Sequence, residues 1–320
     1  MPTIFLARKD VKELLNMKEI LEAVEQAFRD HAVGKAAMPP KAYLSLEQGD
    51  LRAMPAAVSG AAGMKWVNSH PQNPSRGLPT VMAVLIVNDP ATGYPLAVMD
   101  ATDLTAYRTG ATAAIAAKYL ARKDSHTLGI VGAGKQAYTQ LMAHAEMFDL
   151  KLVKVFDLSP AATQKFVQSF PEFTIQATSL EDAVAADILC TLTPAREPVV
   201  KKEWVKPGTH INAVGADGPG KQELDPLILK EAMMVVDNME QAVNGGEINV
   251  PLKKGVYSTD QVYATLDEVV AGKKTGRGET KAVTVFDSTG LAIEDIAVAS
   301  LVYKKARALS KYLTMDFVEE

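Results

Sequence analysis

The sequence predicts an α/β protein: a doubly wound parallel sheet preceded by a separate domain built on a mixed or antiparallel sheet. Three observations predict this. A glycine-rich turn joins a strand-like to a helix-like segment within 127–148. Strand-like and helix-like segments then alternate as far as residue 290. Residues 41–100 differ, carrying short strand-like runs separated by Gly, Pro, Asn and Asp.

The turn is the most informative stretch. Residues 127–131 suit a buried strand and run directly into Gly132, Ala133, Gly134, Lys135, Gln136 and Ala137, the G-x-G-x-x-A form of the dinucleotide fingerprint. Gly132 permits the tight exit from the strand. Gly134 lets backbone N–H groups reach a pyrophosphate, and Ala137 lets the helix sit close to the sheet. The helix-compatible segment 136–148 offers unpaired donors and a positive dipole end to the phosphates. The next strand, 152–156, ends on Asp157, about twenty residues past Gly134, where a carboxylate binds the adenosine ribose hydroxyls. An acid there repels a 2′-phosphate, so the expected cofactor of this Rossmann-type domain is NAD and not NADP.

The remaining elements follow in order. Residues 17–34 repeat apolar positions at Met17, Ile20, Leu21, Val24, Ala27 and Phe28, an amphipathic helix closed by Gly34. Strands are expected at 42–46, 51–56, 64–68, 81–87 and 96–99. An Ala-rich helix over 103–120, with Asp103 placed to cap it, leads into the fingerprint strand as an inter-domain connector. Beyond it strands are expected at 127–131, 152–156, 174–177, 187–192, 210–214, 233–236 and 283–286. Helices are expected at 160–169, 180–185, 226–232 and 260–271, a final helix at 291–309, and a last strand at 312–318.

The 320 residues include 34 Lys and Arg against 38 Asp and Glu, a formal charge of −4, with no basic cluster. This argues against nucleic acid or an acidic membrane as partner. The single cysteine, Cys190, excludes an intramolecular disulfide; in its apolar run it reads as a small buried hydrophobe. The N-terminus has no signal-peptide-like apolar segment, and uncharged runs such as 77–88 are too short to span a membrane, so a cytoplasmic location is expected. The five histidines show no metal-ligand spacing, so no metal site is expected.

Outside the nucleotide domain, cations stand in apolar settings: Lys41 after two prolines, Arg52 in D-L-R-A-M-P, Lys65 in G-M-K-W-V, and Arg108 in Y-R-T-G. Two readings stand for them. Either each is a solvated residue or local ion pair, or they converge as a carboxylate-binding site in which a desolvated lysine works as an acid/base near neutral pH. Asp217 lies in a glycine-rich loop after a strand, where ligands of open α/β sheets bind. It is a turn aspartate or a group that handles water and protons. His70, beside Pro71, reads as structural.

These segments together resemble the ornithine cyclodeaminase/mu-crystallin family, and within it the archaeal-type alanine dehydrogenase branch. The resemblance rests on M-P-P-K at 38–41, L-R-A-M-P at 51–55, K-W-V-N-S-H-P at 65–71 and G-L-P-T at 77–80. It continues in M-D-A-T at 99–102, R-T-G-A at 108–111, G-A-G-K-Q at 132–136, G-A-D-G-P-G-K at 215–221, G-G-E at 245–247 and F-D-S-T-G at 286–290. It implies a Rossmann domain (116–290) and a discontinuous α+β substrate and dimerisation domain from both chain ends (1–115 and 291–320). Lys41, Lys65 and Arg108 would hold a substrate carboxylate, with Lys65 also in acid/base work and Asp217 assisting proton transfer or water attack. Thr80, Arg108, Thr109, Gln136, Asp157, Lys221 and Ser288 would contact the dinucleotide, beside the backbone of Gly132, Ala133 and Gly134. One departure matters. Where cyclodeaminases carry a glutamate for the distal amine of ornithine, this chain has Arg52, which repels that ammonium and favours a small amino acid. The implied activity is NAD-dependent oxidative deamination of L-alanine, by a homodimer acting on a small amino acid or 2-oxo acid. Ornithine cyclodeamination, reduction of cyclic imines such as pyrroline-2-carboxylate, and non-catalytic ligand binding are the alternatives.

Overall fold

The computed structural model describes residues 2–316 and 318. In chain order its strands are β1 (Thr3–Leu6), β2 (Ala42–Leu46), β3 (Gly49–Val58), β4 (Ala61–Ser69), β5 (Ala83–Asn88), β6 (Pro95–Asp100), β7 (Thr127–Val131), β8 (Leu152–Phe156), β9 (Ile175–Ala177), β10 (Ile188–Thr191), β11 (His210–Ala213), β12 (Met233–Val236), β13 (Val262–Thr265), β14 (Thr284–Asp287) and β15 (Leu313–Met315). The chain divides into two compact units, 1–108 with 291–320, and 109–290. The division falls inside the helix Thr102–Leu120, seven residues before the boundary the resemblance implies.

In the first unit the sheet runs β15-β1-β6-β5-β4-β3-β2. β2 to β6 form an antiparallel meander, β1 adds parallel to β6, and β15 pairs antiparallel with β1. Strict alternation gives the sheet a buried face carrying Arg52, Met54, Ala56, Lys65, Val67, Ala83, Leu85 and Val87. The helix Ala292–Leu309 packs on β3, β4 and β5, beside the helix Met17–Ala32. Its approach is close at Gly63, where an added Cβ would lie 3.1 Å from Ile296 Cδ1 and 2.1 Å from the Ile86 carbonyl oxygen. The segment that returns from the far end of the chain therefore roofs the strand carrying Lys65.

In the second unit the order is β13-β12-β14-β11-β10-β7-β8-β9. Every pairing is parallel, as strands alternating with crossover segments require. The order reverses between β7 and β10, the topological switch point where open α/β sheets bind ligands. The core is apolar on both faces, with Leu128, Ile130, Val153, Val155, Ile188, Ile211 and Val285 buried.

Several expectations need correction. Residues 260–271 are not one helix: Val262–Thr265 is the edge strand β13, and the helix starts at Leu266, where Thr265 and Glu268 form a capping box. β1 and the helices Arg8–Leu14, Met239–Gly245 and Asn249–Lys253 were not anticipated. Asp103 does not cap the Ala-rich helix. It sits within the first turn and pairs with Arg8 at 2.8 Å, while Asp100 accepts the Thr102 N–H. The last strand is shorter than 312–318, and of that stretch Phe317 lies outside the described residues. No helix among the described residues is long and apolar enough to cross a membrane.

Candidate active site

Lys65 is the most unusual residue of the first unit: its side chain has no exposed surface. Opposite it, at the start of the helix Ala292–Leu309, stand Glu294 and Asp295, also fully buried and favoured there by the helix dipole. Lys65 Nζ lies 2.6 Å from Asp295 Oδ2 as an ion pair lacking hydrogen-bond geometry. Arg108, from the helix Thr102–Leu120, donates through Nη1 to Glu294 Oε2 at 2.7 Å, and its Nε lies 2.9 Å from Asp295 Oδ1. Burial, with the Arg108 charge next and Lys41 adding to it, pushes the Lys65 ammonium down to about 7, while Asp295 opposes the shift. A lysine poised there exchanges a proton at neutral pH.

Arg52 shares the buried sheet face, two positions along β3 from Met54, the residue paired with Lys65. Its guanidinium is held by its neighbours: Nε donates to Asp50 at 2.7 Å and the group lies over the Tyr43 ring at 5.3 Å. His70 is tied to its own loop, its Nδ1 bonded to Asn68 and its backbone N–H to the carbonyl of Thr80.

In the second unit the fingerprint takes the expected form. Gly132 closes β7 at φ +102, and an added Cβ would meet the backbone of Leu192, at the end of β10, at 3.2 Å. Gly134 is the N-cap of the helix Lys135–Met147, with no side-chain cap and no acid in the first turn. A Cβ built on Gly134 would meet nothing within 4 Å. This donor set, with open space above the glycine, fits a pyrophosphate. Asp157 closes the loop: its Oδ2 accepts the Ala133 N–H and its Oδ1 the Ser159 N–H, both at 2.7 Å. Leu158 beside it is 92% exposed. Ser288 follows β14 with its N–H on the Ala213 carbonyl, at the same end of the sheet.

Asp217 and Lys221, expected in separate roles, are bonded to each other, Lys221 Nζ donating to Asp217 Oδ1. Beneath their loop are carboxyls that sequence reading missed. Glu223 accepts the Thr193 N–H at 2.7 Å and the Gly215 N–H at 2.9 Å, tying together the loops after β10 and β11. Glu247 accepts from the N–H groups of Glu223 and Leu224. Burial pushes Glu223 up to about 7 and Asp287 to about 8, and Glu247, burial aided by the Glu223 charge, well above the usual range. Glu294 and Asp295 were missed too; the available signal was a pair of acids in the otherwise largely apolar first turns of the helix.

Cys190 is buried, as its apolar run predicts. His144 and His210 flank Asn212 at 3.1 and 3.0 Å, and burial holds them at about 4 and 3, neutral links of the core.

Comparison with known proteins gives concordant findings. The model of the ornithine cyclodeaminase/mu-crystallin family matches residues 1–310. An alanine dehydrogenase of Archaeoglobus fulgidus is 57% identical over 308 residues, 96% of either chain. A solved archaeal alanine dehydrogenase dimer with bound NAD superposes with a TM-score of 0.97 at 55% identity, covering 99% of this chain and 100% of that one. The Thermococcus litoralis Δ1-pyrroline-2-carboxylate reductase, solved with NADH and L-proline, gives 0.94 at 41% identity over 98% of this chain and 100% of that one.

Proposed function

The chain belongs to the ornithine cyclodeaminase/mu-crystallin family, and on that premise we propose that it is an NAD-dependent L-alanine dehydrogenase. The reaction converts L-alanine, NAD and water reversibly to pyruvate, ammonium, NADH and a proton. The observation that carries the reading is Lys65, a fully enclosed amine poised near neutrality beside the guanidinium of Arg108.

Arg108 and Lys41 hold the substrate carboxylate by charge-assisted bonds, which orients the α-carbon. Neutral Lys65 takes a proton from the α-ammonium, freeing the nitrogen lone pair that drives hydride departure. The fingerprint loop and Asp157 would hold NAD, which would supply the hydride acceptor. Asp217, at the carboxyl end of β11, is assigned the water that adds to the substrate imine. Protonated Lys65 then returns a proton to the departing amine. Thr80, Thr109, Gln136, Lys221 and Ser288 are assigned to the dinucleotide. Arg52 selects a small side chain, because a guanidinium fixed by Asp50 and Tyr43 repels the distal ammonium of ornithine.

The test is incubation of the protein with NAD and either L-alanine or L-ornithine, following NADH, pyruvate, proline and ammonium. NADH and pyruvate from alanine, with nothing from ornithine, is the expected result. Proline and ammonium from ornithine without net NADH would instead make it a cyclodeaminase. Silence with both, and NADH oxidation by pyrroline-2-carboxylate, would make it an imine reductase.

The proposal includes a cytoplasmic homodimer. On the face of the first sheet away from the helices, register aligns Leu313, Phe5, Val98, Ile86, Met64 and Pro55 in one row, with Trp66 and Val84 beside it. Trp66 is 38%, Val84 50% and Leu313 65% exposed, an apolar face of the kind that marks an interface. Val84→Glu is expected to halve the mass measured by light scattering. A variant that remains as dimeric as the parent would remove this face from the interface.

A further inference from the structure

The acids at the start of the helix Ala292–Leu309 have no role in the chemistry derived above, yet they hold two of its cations, Lys65 and Arg108. The two carboxylate oxygens of Asp295 are shared, Oδ2 lying 2.6 Å from Lys65 Nζ and Oδ1 2.9 Å from Arg108 Nε. Glu294 takes the other side of the same guanidinium at 2.7 Å. The four side chains are 0%, 7%, 0% and 0% exposed for Lys65, Arg108, Asp295 and Glu294. An ion-pair cluster of this depth is a poor way to gain stability, since apolar residues of similar volume serve as well or better. What it does is fix geometry. One carboxylate paired with two cations from different elements sets the distance between them. We infer that Asp295 is a positioning residue for the acid/base work of Lys65, and that Glu294 fixes the plane of the Arg108 guanidinium that grips the substrate carboxylate.

Charge supports the same assignment. Lys65 is faced by Asp295, by Arg108 and, more weakly, by Lys41. Of these only Asp295 favours the protonated amine. Without it, burial and two like charges would leave Lys65 neutral throughout the working range, able to accept a proton but poor at holding one for the departing amine. The discontinuity of the first unit then has a chemical consequence: the residues that orient the substrate-binding cations arrive only with the C-terminal helix.

The inference rests on the acid/base reading of Lys65, so the test separates the two. The pH profile of kcat/KM for L-alanine is measured for the parent, Lys65→Arg, Asp295→Asn and Glu294→Gln, with NAD binding followed by calorimetry. The parent is expected to gain activity as pH rises through about 7, because the neutral amine is the base. Lys65→Arg should abolish that limb; a limb that persists overturns the Lys65 reading itself. With the limb established, Asp295→Asn should move it down by about one pH unit or more and lower kcat about 10²-fold, while NAD affinity is unchanged. An unmoved limb with only a lowered melting temperature would make Asp295 structural and overturn the inference. Glu294→Gln should raise KM for alanine more than it lowers kcat, and an unchanged KM would remove Glu294 from positioning. If Asp295→Asn does not fold, Asp295→Glu decides. It keeps the charge and displaces it, so the limb should stay near its parent position while kcat falls; parental kcat would overturn the assignment.

Discussion

Lys65→Ala loses roughly two to four orders of magnitude in turnover of L-alanine, the size of a lost general acid/base group, while NAD still binds about as tightly as to the parent protein. The two halves of this expectation have separate physical origins. Turnover fails because the enclosed amine poised near neutrality is lost. Binding survives because the fingerprint loop, Asp157 and the helix Lys135–Met147 lie wholly within residues 109–290, in the other unit. Removing one partner of a buried ion pair costs about 3–5 kcal/mol in general, and here Asp295 keeps Arg108, so a folded variant is expected at reduced stability. Lys65→Met, closer in volume, serves as the check. Near-parental turnover in either variant would remove Lys65 from the chemistry.

Stability should report the same lysine. Its amine titrates at about 7 in the folded chain against 10.5 when free. Between those values the folded state therefore holds fewer protons than the unfolded one, and stability rises with pH by at most about 1.4 kcal/mol per unit. Below pH 7 both states are protonated and the dependence vanishes. In Lys65→Met the rise should be absent, which denaturant titration at pH 7 and pH 9 measures.

What the sequence made legible and what it hid divide along the range of the interactions. The fingerprint is a local device. Strand, positive-φ Gly132, uncapped helix start and Asp157 all fall within 127–157 and were read in place. The apolar surroundings of Lys65 marked it as unusual, but its partners could not be read the same way, because Arg108 and Glu294 alone are 186 residues apart. Acids on an apolar helix signal burial without naming the cation that compensates them. Glu223 and Glu247 were hidden for a related reason. In a loop rich in Gly, Pro and Lys a glutamate looks solvated, and only the fold shows backbone N–H groups closing on it. The misread helix at 260–271 was a local error, since the capping box at Thr265 marks its true start.

Asp157→Ser tests the other half of the site and should change cofactor choice more than activity with saturating cofactor. In the parent the carboxylate already binds the fingerprint loop, accepting the Ala133 and Ser159 N–H groups at 2.7 Å. Its position at the end of β8 leaves it the acceptor for the adenosine ribose hydroxyls, and its charge repels a 2′-phosphate. Serine keeps a short polar side chain but loses the charge and the reach. NAD should bind about 10²-fold more weakly, two charge-assisted hydrogen bonds being worth roughly 3 kcal/mol or more together. NADP, relieved of repulsion, should bind no worse than before, so the preference for NAD over NADP shrinks by about the same factor. A looser fingerprint loop alone would weaken both cofactors equally, and Asp157→Asn separates the causes. Asparagine can still accept the Ala133 N–H through its amide oxygen, yet carries no charge. If the preference follows charge, asparagine and serine behave alike toward NADP and differ toward NAD. If both variants keep the parental NAD to NADP ratio, Asp157 holds the loop and does not read the ribose.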